Sequence, residues 1–309
     1  MTISEYWYDL IMGLNFALLN FMLASSNFHE EKRIGRKILE IGKLKNSLTD
    51  REIRHISKSY KIPEEILKSE PKVIYEYLGF KELFSLDNSE FEGANLVKNL
   101  NTPPAEFGEL NSGYFDLVID GGTTEHIYSP ITALANYFNY LKIGGSLFQI
   151  LPSNNYIDHG LYQFSPTFFW SIRDQGIELN KLHFVERSEK NEFYWDGLSI
   201  NFKKHIDNSF DGSGFANLLR YRTKNIVALA QWQKTSSIDF KSLIQNSNQE
   251  VYLNKWENKK TEIKSNNKSL FEKFVFYAYK SRFFMLKYLV ANLLLIFEKQ
   301  KYKEHRRKF

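Results

Sequence analysis

The most informative stretch of this chain is Phe115-Asp116-Leu117-Val118-Ile119-Asp120, which runs into Gly121-Gly122-Thr123-Thr124-Glu125-His126. Its first six residues are mostly apolar, which predicts a strand buried on both faces of a sheet. A glycine pair after such a strand indicates that something approaches the backbone closely. Because open parallel sheets bind ligands beyond the carboxyl ends of their strands, the stretch predicts a parallel sheet with a ligand site at this end.

Similar apolar runs lie on both sides of this strand and alternate with segments of helical periodicity. Strands are predicted at 37–41, 83–87, 94–97, 115–120, 146–151, 179–187 and 225–231. Helices are predicted at 5–28, within 49–79 with breaks at Pro63 and Pro71, at 129–142 and at 166–175. Gly144-Gly145 is expected to end one helix and open the next strand. This order predicts an α/β fold, a Rossmann-like doubly wound sheet that is mostly parallel.

Charge and composition divide the chain into three predicted parts. They are an N-terminal helical segment (1–32), an α/β domain (33–234), and a linker with a basic amphipathic helical tail (235–309). Residues 255–309 carry a formal charge of +10, and the rest of the chain carries −5. A slightly acidic body argues against a protein that grips nucleic acid over a broad surface. The chain has no cysteine, which excludes disulfides, Cys-ligated metals and a thiol nucleophile.

The tail and the start of the chain indicate where in the cell the protein is expected. The apolar segment 283–297 and the basic run 299–308 suit a helix lying on an anionic membrane surface. Packing of 270–309 on the α/β domain, or in a homodimer, is the alternative. Residues 1–9 hold acidic residues and no Lys or Arg, unlike a secretory signal, and the apolar run 10–24 is short for a membrane span. We expect a cytoplasmic protein, and for 270–309 both packing on protein, which is the favoured interpretation, and peripheral membrane contact stay open.

Polar or ligand-compatible residues follow each of the first three predicted strands. They are Glu40 and Gly42, then Asp87 and Asn88, then Asn99 with Leu100. A carboxylate after the second strand can accept both hydroxyls of a ribose, and an amide after the third can read an adenine amino group. A glycine after the first strand allows close approach of a ligand. These positions favour an adenosine-containing ligand, with turn and helix-cap roles as the alternative.

With these residues in place, the chain resembles the class I S-adenosylmethionine-dependent methyltransferases from about Lys37 to Lys234. Residues 115–126 are similar to that family's fourth-strand motif, and 141–145 to its turn into the fifth strand. Residues 158–166 look like a subgroup found near bacterial surface-polysaccharide pathways. The resemblance implies a seven-stranded methyltransferase-type sheet, S-adenosylmethionine as cofactor, and O-methylation of a sugar or sugar-conjugate. Nucleic acid is not an expected partner.

The resemblance and the strand ends together give a set of candidate cofactor-binding residues. They are Glu40, Gly42, Asp87, Asn88, Asn99, Leu100, Asp120, Gly121, Gly122 and Glu125. Asn155, Tyr162 and Gln163 are the candidates for binding the acceptor, because they follow the fifth strand. Loop packing is the competing interpretation for these three.

Two histidines lie in the candidate strand-end loops. A neutral imidazole at His126 or His159 could accept the proton of an acceptor hydroxyl, which makes both candidate catalytic residues. A histidine packed against a backbone carbonyl is the competing interpretation. Asp120, Glu125, His126 and His159 are also of types that bind metals, but no ligand spacing is diagnostic, so the sequence predicts no metal.

Two other functions are open at this stage. The loop after the first strand, 42–47, holds one glycine where the family has a glycine-rich loop, which favours a non-catalytic binding or assembly subunit held at a membrane surface. A nicotinamide oxidoreductase is disfavoured because the chain lacks the G-x-G-x-x-G pattern after that strand.

Overall fold

A computed structural model describes residues 13–25, 35–104, 112–172, 176–186, 193–199, 225–241, 243 and 307–308. The predicted helix at 270–297 lies outside these residues, as do 1–12 of the N-terminal segment. Among the described residues, no helix combines the length and apolar character needed to cross a bilayer.

A single mixed sheet forms the centre of the molecule. Its strands are β1 Arg36–Ile41, β2 Phe80–Asp87, β3 Leu96–Val97, β4 Phe115–Asp120, β5 Leu141–Asn154, β6 Ile177–Glu186, β7 Phe193–Asp196, β8 Ile226–Lys234 and β9 Arg307–Lys308. They lie in the order β3-β2-β1-β4-β5-β8-β6-β7-β9. The first five pair in parallel, and β8 is inserted antiparallel between β5 and β6. The predicted α/β fold is confirmed, with more strands than the seven expected.

Helices cover the sheet, and their ends follow from local sequence. They are α1 Phe16–Leu23, α2 Asp50–Tyr60, α3 Glu64–Leu67, α4 Pro71–Tyr77, α5 Pro130–Tyr140 and α6 Pro166–Ser171. The predicted breaks at Pro63 and Pro71 are confirmed, because one proline precedes α3 and the other opens α4, where a missing N–H costs no hydrogen bond. Thr49 and Glu52 form a capping box at the start of α2.

Two apolar cores lie on opposite faces of the sheet. Alternate residues of β1 separate them, since Leu39 and Ile41 pack in the core with α5 while Ile38 packs in the core with α1, α2 and α4. Burial on both faces explains why the central strands are apolar throughout. Glu40 shares the face of Ile38 and is therefore a carboxyl group in the second core.

The boundary expected at Gly144-Gly145 is wrong. Helix α5 ends at Tyr140, and Leu141 already has extended backbone angles. β5 then runs from Leu141 through the two glycines to Asn154. Its pairing with β4 jumps from Leu141 to Ser146, so the glycines occupy an irregularity within the strand instead of a helix cap.

The sheet also extends further than the sequence indicated. No strand is predicted between 179–187 and 225–231, yet Phe193–Asp196 forms β7 and pairs with β6. Arg307 and Lys308, expected in the helical tail, form β9 and pair with Tyr194 and Phe193. The three aromatic residues of β7 favour a strand and were an available signal, whereas β9 is two basic residues whose strand pairing depends on the distant β7.

The N-terminal segment packs against the loop that follows β1. The Leu14 N–H donates to the Lys45 carbonyl at 2.9 Å, and the Gly13 N–H donates to the Gly121 carbonyl at 3.1 Å. Leu44 of the same loop is buried against Gly121, where an added Cβ would lie 2.4 Å from a Leu44 methyl carbon. The absence of a side chain at 121 is therefore required by packing within the chain.

Gly121→Ala should lower the free energy of unfolding by about 1–2 kcal/mol, because the new methyl group overpacks Leu44. The measurement is urea unfolding followed by tryptophan fluorescence. Leu44→Ala alone should also destabilise, by about 2 kcal/mol or more, through the cavity that it leaves. The double variant is the control: it should lose clearly less than the sum of the two, and strict additivity would contradict the packing explanation.

Candidate functional site

The carboxyl end of β1 presents a buried carboxyl group with an unused oxygen. Glu40 is 2% exposed, and its Oε1 has no hydrogen-bond partner among the described residues. Burial raises the pKa of Glu40 to about 8, against smaller lowering contributions from Leu44 N–H, Tyr75 and Lys43. A buried acid of this kind is costly unless a donor or cation meets it. Glu40 is therefore suited to hold a cationic group of a ligand.

The turn after β1 is joined to the loop after β4. Gly42 has a φ of +72°, a conformation that favours glycine, and a Cβ there would lie 2.9 Å from the Thr123 hydroxyl. That hydroxyl donates to the Ile41 carbonyl at 2.9 Å. The sequence predicted a ligand contact at Gly42, and the structure supplies a first reason for the glycine, which is the close approach of Thr123.

The next two strand ends contribute Asp87 and the loop of Asn99. Asp87 is half-buried at the end of β2, and its Oδ1 accepts the N–H of Asn88. Asn99 is exposed, and its side-chain oxygen accepts the N–H of Asn101 at 3.0 Å. The Asp87 carboxyl group and the loop of Asn99 lie at the same edge of the sheet as Glu40, because β2 pairs in parallel with β1 on one side and with β3 on the other. The three predicted ligand positions are brought to one edge.

Buried Asn136 of α5 fixes the loop that carries Leu100. Its Nδ2 donates to the carbonyl groups of Thr102, Thr132 and Leu100, at 2.9, 3.0 and 3.3 Å. Leu100 itself is buried in the core with α5. The third strand-end loop is therefore held by a helix side chain.

Asp120 is fully buried and turned into its own loop. Its Oδ1 accepts the N–H groups of Gly122 and Thr123, at 3.3 and 2.8 Å. Its Oδ2 accepts the Thr124 hydroxyl and, at 3.0 Å, the Gln149 amide. Burial raises the pKa of Asp120 and these hydrogen bonds lower it. The carboxylate thus positions the loop, and its predicted contact with a cofactor stays a prediction, as do those of Gly121 and Gly122.

The loop leads into a short 3₁₀ helix, Thr124–His126, that meets the loop after β5. Glu125 is fully buried, and its Oε1 lies 3.4 Å from Nε2 of His159, which is 9% exposed. The ring of exposed His126 lies edge-on to that of His159, with 5.1 Å between centroids. The two histidines proposed from the sequence are therefore neighbours, although they are far apart along the chain.

Burial sets the pKa values of this cluster. It raises the pKa of Glu125 to about 7, against a lowering contribution from His159. Desolvation, with a smaller contribution from His159, lowers the pKa of His126. The cluster combines a carboxyl group sealed from water with an imidazole that faces the outside.

The three predicted acceptor-binding residues lie in the loop after β5. The Tyr162 hydroxyl donates to the Tyr128 carbonyl at 2.7 Å, and the Gln163 side-chain oxygen accepts the Tyr156 N–H at 2.9 Å. Asn155 is exposed with a φ of +60°. These bonds close the loop on itself and on the loop after β4, so loop packing accounts for Tyr162 and Gln163. Contact with an acceptor stays a prediction for all three.

Sequence reasoning missed the residues that position the site. Tyr75 lies beside Glu40, and burial, with a smaller contribution from that carboxyl group, raises the pKa of the Tyr75 hydroxyl well above its usual value. Thr123, Asn136 and Gln149 each hold a strand-end loop in place. The polar residues inside apolar runs, Asn136 and Gln149, were an available signal, because a buried amide needs hydrogen-bond partners.

The chain matches no protein-family model and no curated protein. Solved structures that it resembles include an S-adenosylmethionine-dependent methyltransferase from Archaeoglobus fulgidus, with 15% identity, 75% of this chain and 100% of that chain covered, and a TM-score of 0.38. Another is the YcgJ protein from Bacillus subtilis, with 10% identity, 72% and 98% covered, and a TM-score of 0.39.

A third is phosphoethanolamine N-methyltransferase 2 from Haemonchus contortus in complex with S-adenosylhomocysteine, with 12% identity, 75% and 57% covered, and a TM-score of 0.37. Sequence identities and TM-scores this low support no conclusion about the function of this chain. Its fold is defined by its own strand order.

The stability of the Glu40→Gln variant relative to the wild type should increase as the pH rises from about 4.5 to 8. Over this window the folded wild type keeps a proton that the unfolded chain has released, because burial raises the pKa of Glu40 to about 8 from 4.5. The wild type therefore loses stability with rising pH, on the order of a few kcal/mol, and a neutral amide removes that loss. The measurement is the difference in unfolding free energy between variant and wild type at graded pH.

Glu178→Gln, on an exposed part of β6, is the matched control and should give a pH-independent difference from the wild type. A Glu40→Gln difference that is equally flat would show that Glu40 does not titrate as its burial requires.

Proposed function

We propose that this protein is an S-adenosylmethionine-dependent methyltransferase that methylates a hydroxyl oxygen of a sugar or sugar-conjugate. The observation that carries the proposal is the unpaired, buried carboxyl oxygen of Glu40 at the end of β1, beside Asp87 at the end of β2. The parallel order of β3, β2, β1, β4 and β5, with β8 antiparallel beside β5, supports the same proposal, as does the resemblance of residues 115–126.

The residues at this edge fit the chemical groups of the cofactor. Glu40 would hold the amino group of the methionine part, and a cation there would supply the partner that Oε1 lacks. Asp87 would accept the ribose hydroxyls, with Asn88 beside it. Asn99 and Leu100 would bind the adenine by hydrogen bonding and packing. When bound, S-adenosylmethionine supplies a methyl group on a sulfonium, which an oxygen nucleophile can attack.

The acceptor would approach from the loops after β4 and β5. His126 is exposed there, and its imidazole could take the hydroxyl proton as the new bond to oxygen forms. His159 would be held against Glu125 and would fix the position of His126 through their ring contact. Most of the rate acceleration would come from holding the acceptor oxygen in line with the methyl group.

The chemical class of the acceptor is inferred from the resemblance of one loop and from the charge of the tail. Resemblance of 158–166 to a polysaccharide-pathway subgroup favours a sugar on a nucleotide or a lipid carrier. A cytoplasmic protein with a basic tail at an anionic membrane surface suits the lipid-linked form. Homodimerisation through 270–309 is the competing role for that tail, and a shift in sedimentation on its deletion would support it.

Two observations favour a second function, a non-catalytic binding or assembly subunit. Leu44 fills the space beside Gly121, and Asp120 is satisfied within its own loop. The edge between β1 and β4 is thus partly filled by the chain itself. Binding of the cofactor product distinguishes the two functions.

S-adenosylhomocysteine should raise the melting temperature saturably, since a ligand at 100 times its dissociation constant adds about 2.7 kcal/mol to stability. Asp87→Ala should abolish the shift because the ribose loses its acceptor. Glu90→Ala, an exposed carboxylate of the following loop, is the matched control and should shift like the wild type. No shift in the wild type at millimolar ligand would reject the methyltransferase proposal in favour of the binding subunit.

Transfer to oxygen is tested with donor labelled in the methyl group and a panel of nucleotide-linked and lipid-linked sugars. An alkali-stable label on a sugar is expected, because an ether resists base where an ester is hydrolysed. Label that appears only on amines or carboxylates would contradict the assignment of the acceptor.

A further inference from the structure

We infer that Glu125, His126 and His159 form a binding site for a first-row divalent metal ion such as Zn²⁺. Each residue offers one ligand atom, and the three atoms lie within 4.8 Å of one another. Two imidazole nitrogens and one carboxylate oxygen are ligands that zinc and its neighbours prefer. The metal site is inferred from this geometry, and only the role of the metal in catalysis rests on the proposed function.

The distance between two of the ligand atoms fits coordination better than a direct ion pair. Nε2 of His159 lies 3.4 Å from Oε1 of Glu125. A hydrogen bond between charged partners is typically about 2.7–2.9 Å long. Two ligands at about 2.0–2.1 Å from a tetrahedral metal are roughly 3.3–3.4 Å from each other. The Glu125–His159 spacing therefore already matches one edge of a coordination tetrahedron.

The other oxygen of Glu125 is an independent observation. Glu125 is 0% exposed, and its Oε2 has no hydrogen-bond partner among the described residues. A buried carboxylate oxygen without a partner is costly, and such atoms in native structures commonly mark a bound ion or water. A cation between Glu125 and the two imidazoles would remove that cost.

Backbone contacts hold the cluster in place. The Leu161 N–H donates to the Glu125 carbonyl at 2.7 Å. Gly160 has a φ of +73°, and a Cβ there would lie 2.9 Å from Cγ of Glu125, so only glycine allows this approach. The turn at Gly160 therefore brings His159 into contact with Glu125. His126 completes the set from the outside, where an exposed side chain can rotate to close the remaining distance.

The arrangement leaves room for an exogenous ligand. Asp120, whose carboxylate bonds to its own loop and to Gln149, is not needed as a fourth ligand. Three protein ligands with an open position are typical of catalytic zinc sites. If the proposed function holds, the open position would take the acceptor hydroxyl. The metal would then loosen the O–H bond, the proton would pass to solvent, and His126 would serve as a ligand instead of the base.

The test is metal binding by the full chain, prepared without a polyhistidine tag and stripped with chelator. Titration with Zn²⁺ by calorimetry and with Co²⁺ by visible absorption should give one site per chain. Glu125→Gln, His126→Ala and His159→Ala should each weaken Zn²⁺ binding at least tenfold. His55→Ala, an exposed histidine on α2, is the matched control and should bind like the wild type.

Circular dichroism of the stripped variants separates lost ligands from lost fold. A folded Glu125→Gln or His126→Ala variant that binds Zn²⁺ as tightly as the wild type would overturn the site, as would a wild type without a one-to-one binding phase. The shift with S-adenosylhomocysteine is measured on the same samples. Metal binding without that shift keeps the metal site and rejects the methyltransferase proposal, and the reverse result rejects the metal site alone.

Discussion

The buried Asp120 carboxylate is the interaction on which the rest of the strand-end architecture depends. It cannot reach water, so its charge requires hydrogen bonds from the protein, and it takes them from the loop that follows it and from Gln149 on β5. The loop must therefore fold back over the end of β4. In that position Thr123 reaches the end of β1, and Glu125 points toward the loop after β5.

The folded loop divides the edge of the sheet into two chemically distinct halves. On the side of β1 and β2 lie the carboxyl groups of Glu40 and Asp87, which suit a ligand with an amino group and a ribose. On the side of β5 lie the two histidines with Glu125, which suit an acceptor oxygen and the ion that we propose. Gly42 and Gly160 are needed at the borders, since each has a positive φ and a neighbour that leaves no room for a side chain.

Several individual positions were predictable because their signal is local. The strand Phe115–Asp120 follows from its apolar run, and the breaks before α3 and α4 follow from proline. The role of Asp120 did not follow, because a carboxylate that binds a ligand and one that holds a loop have the same sequence context. Gly121 likewise was expected beside a ligand and is found against Leu44.

The sequence by itself determined the alternation of strands and helices, the burial of the central strands on both faces, and the polar residues at the strand ends, because these depend on the nature and spacing of nearby residues. The tertiary structure alone decided that β8 lies antiparallel between β5 and β6, that Arg307–Lys308 pairs with β7, and that His159 meets Glu125. Each of these joins segments far apart along the chain. Such contacts are selected by packing and hydrogen bonding across the whole fold, which no local pattern encodes.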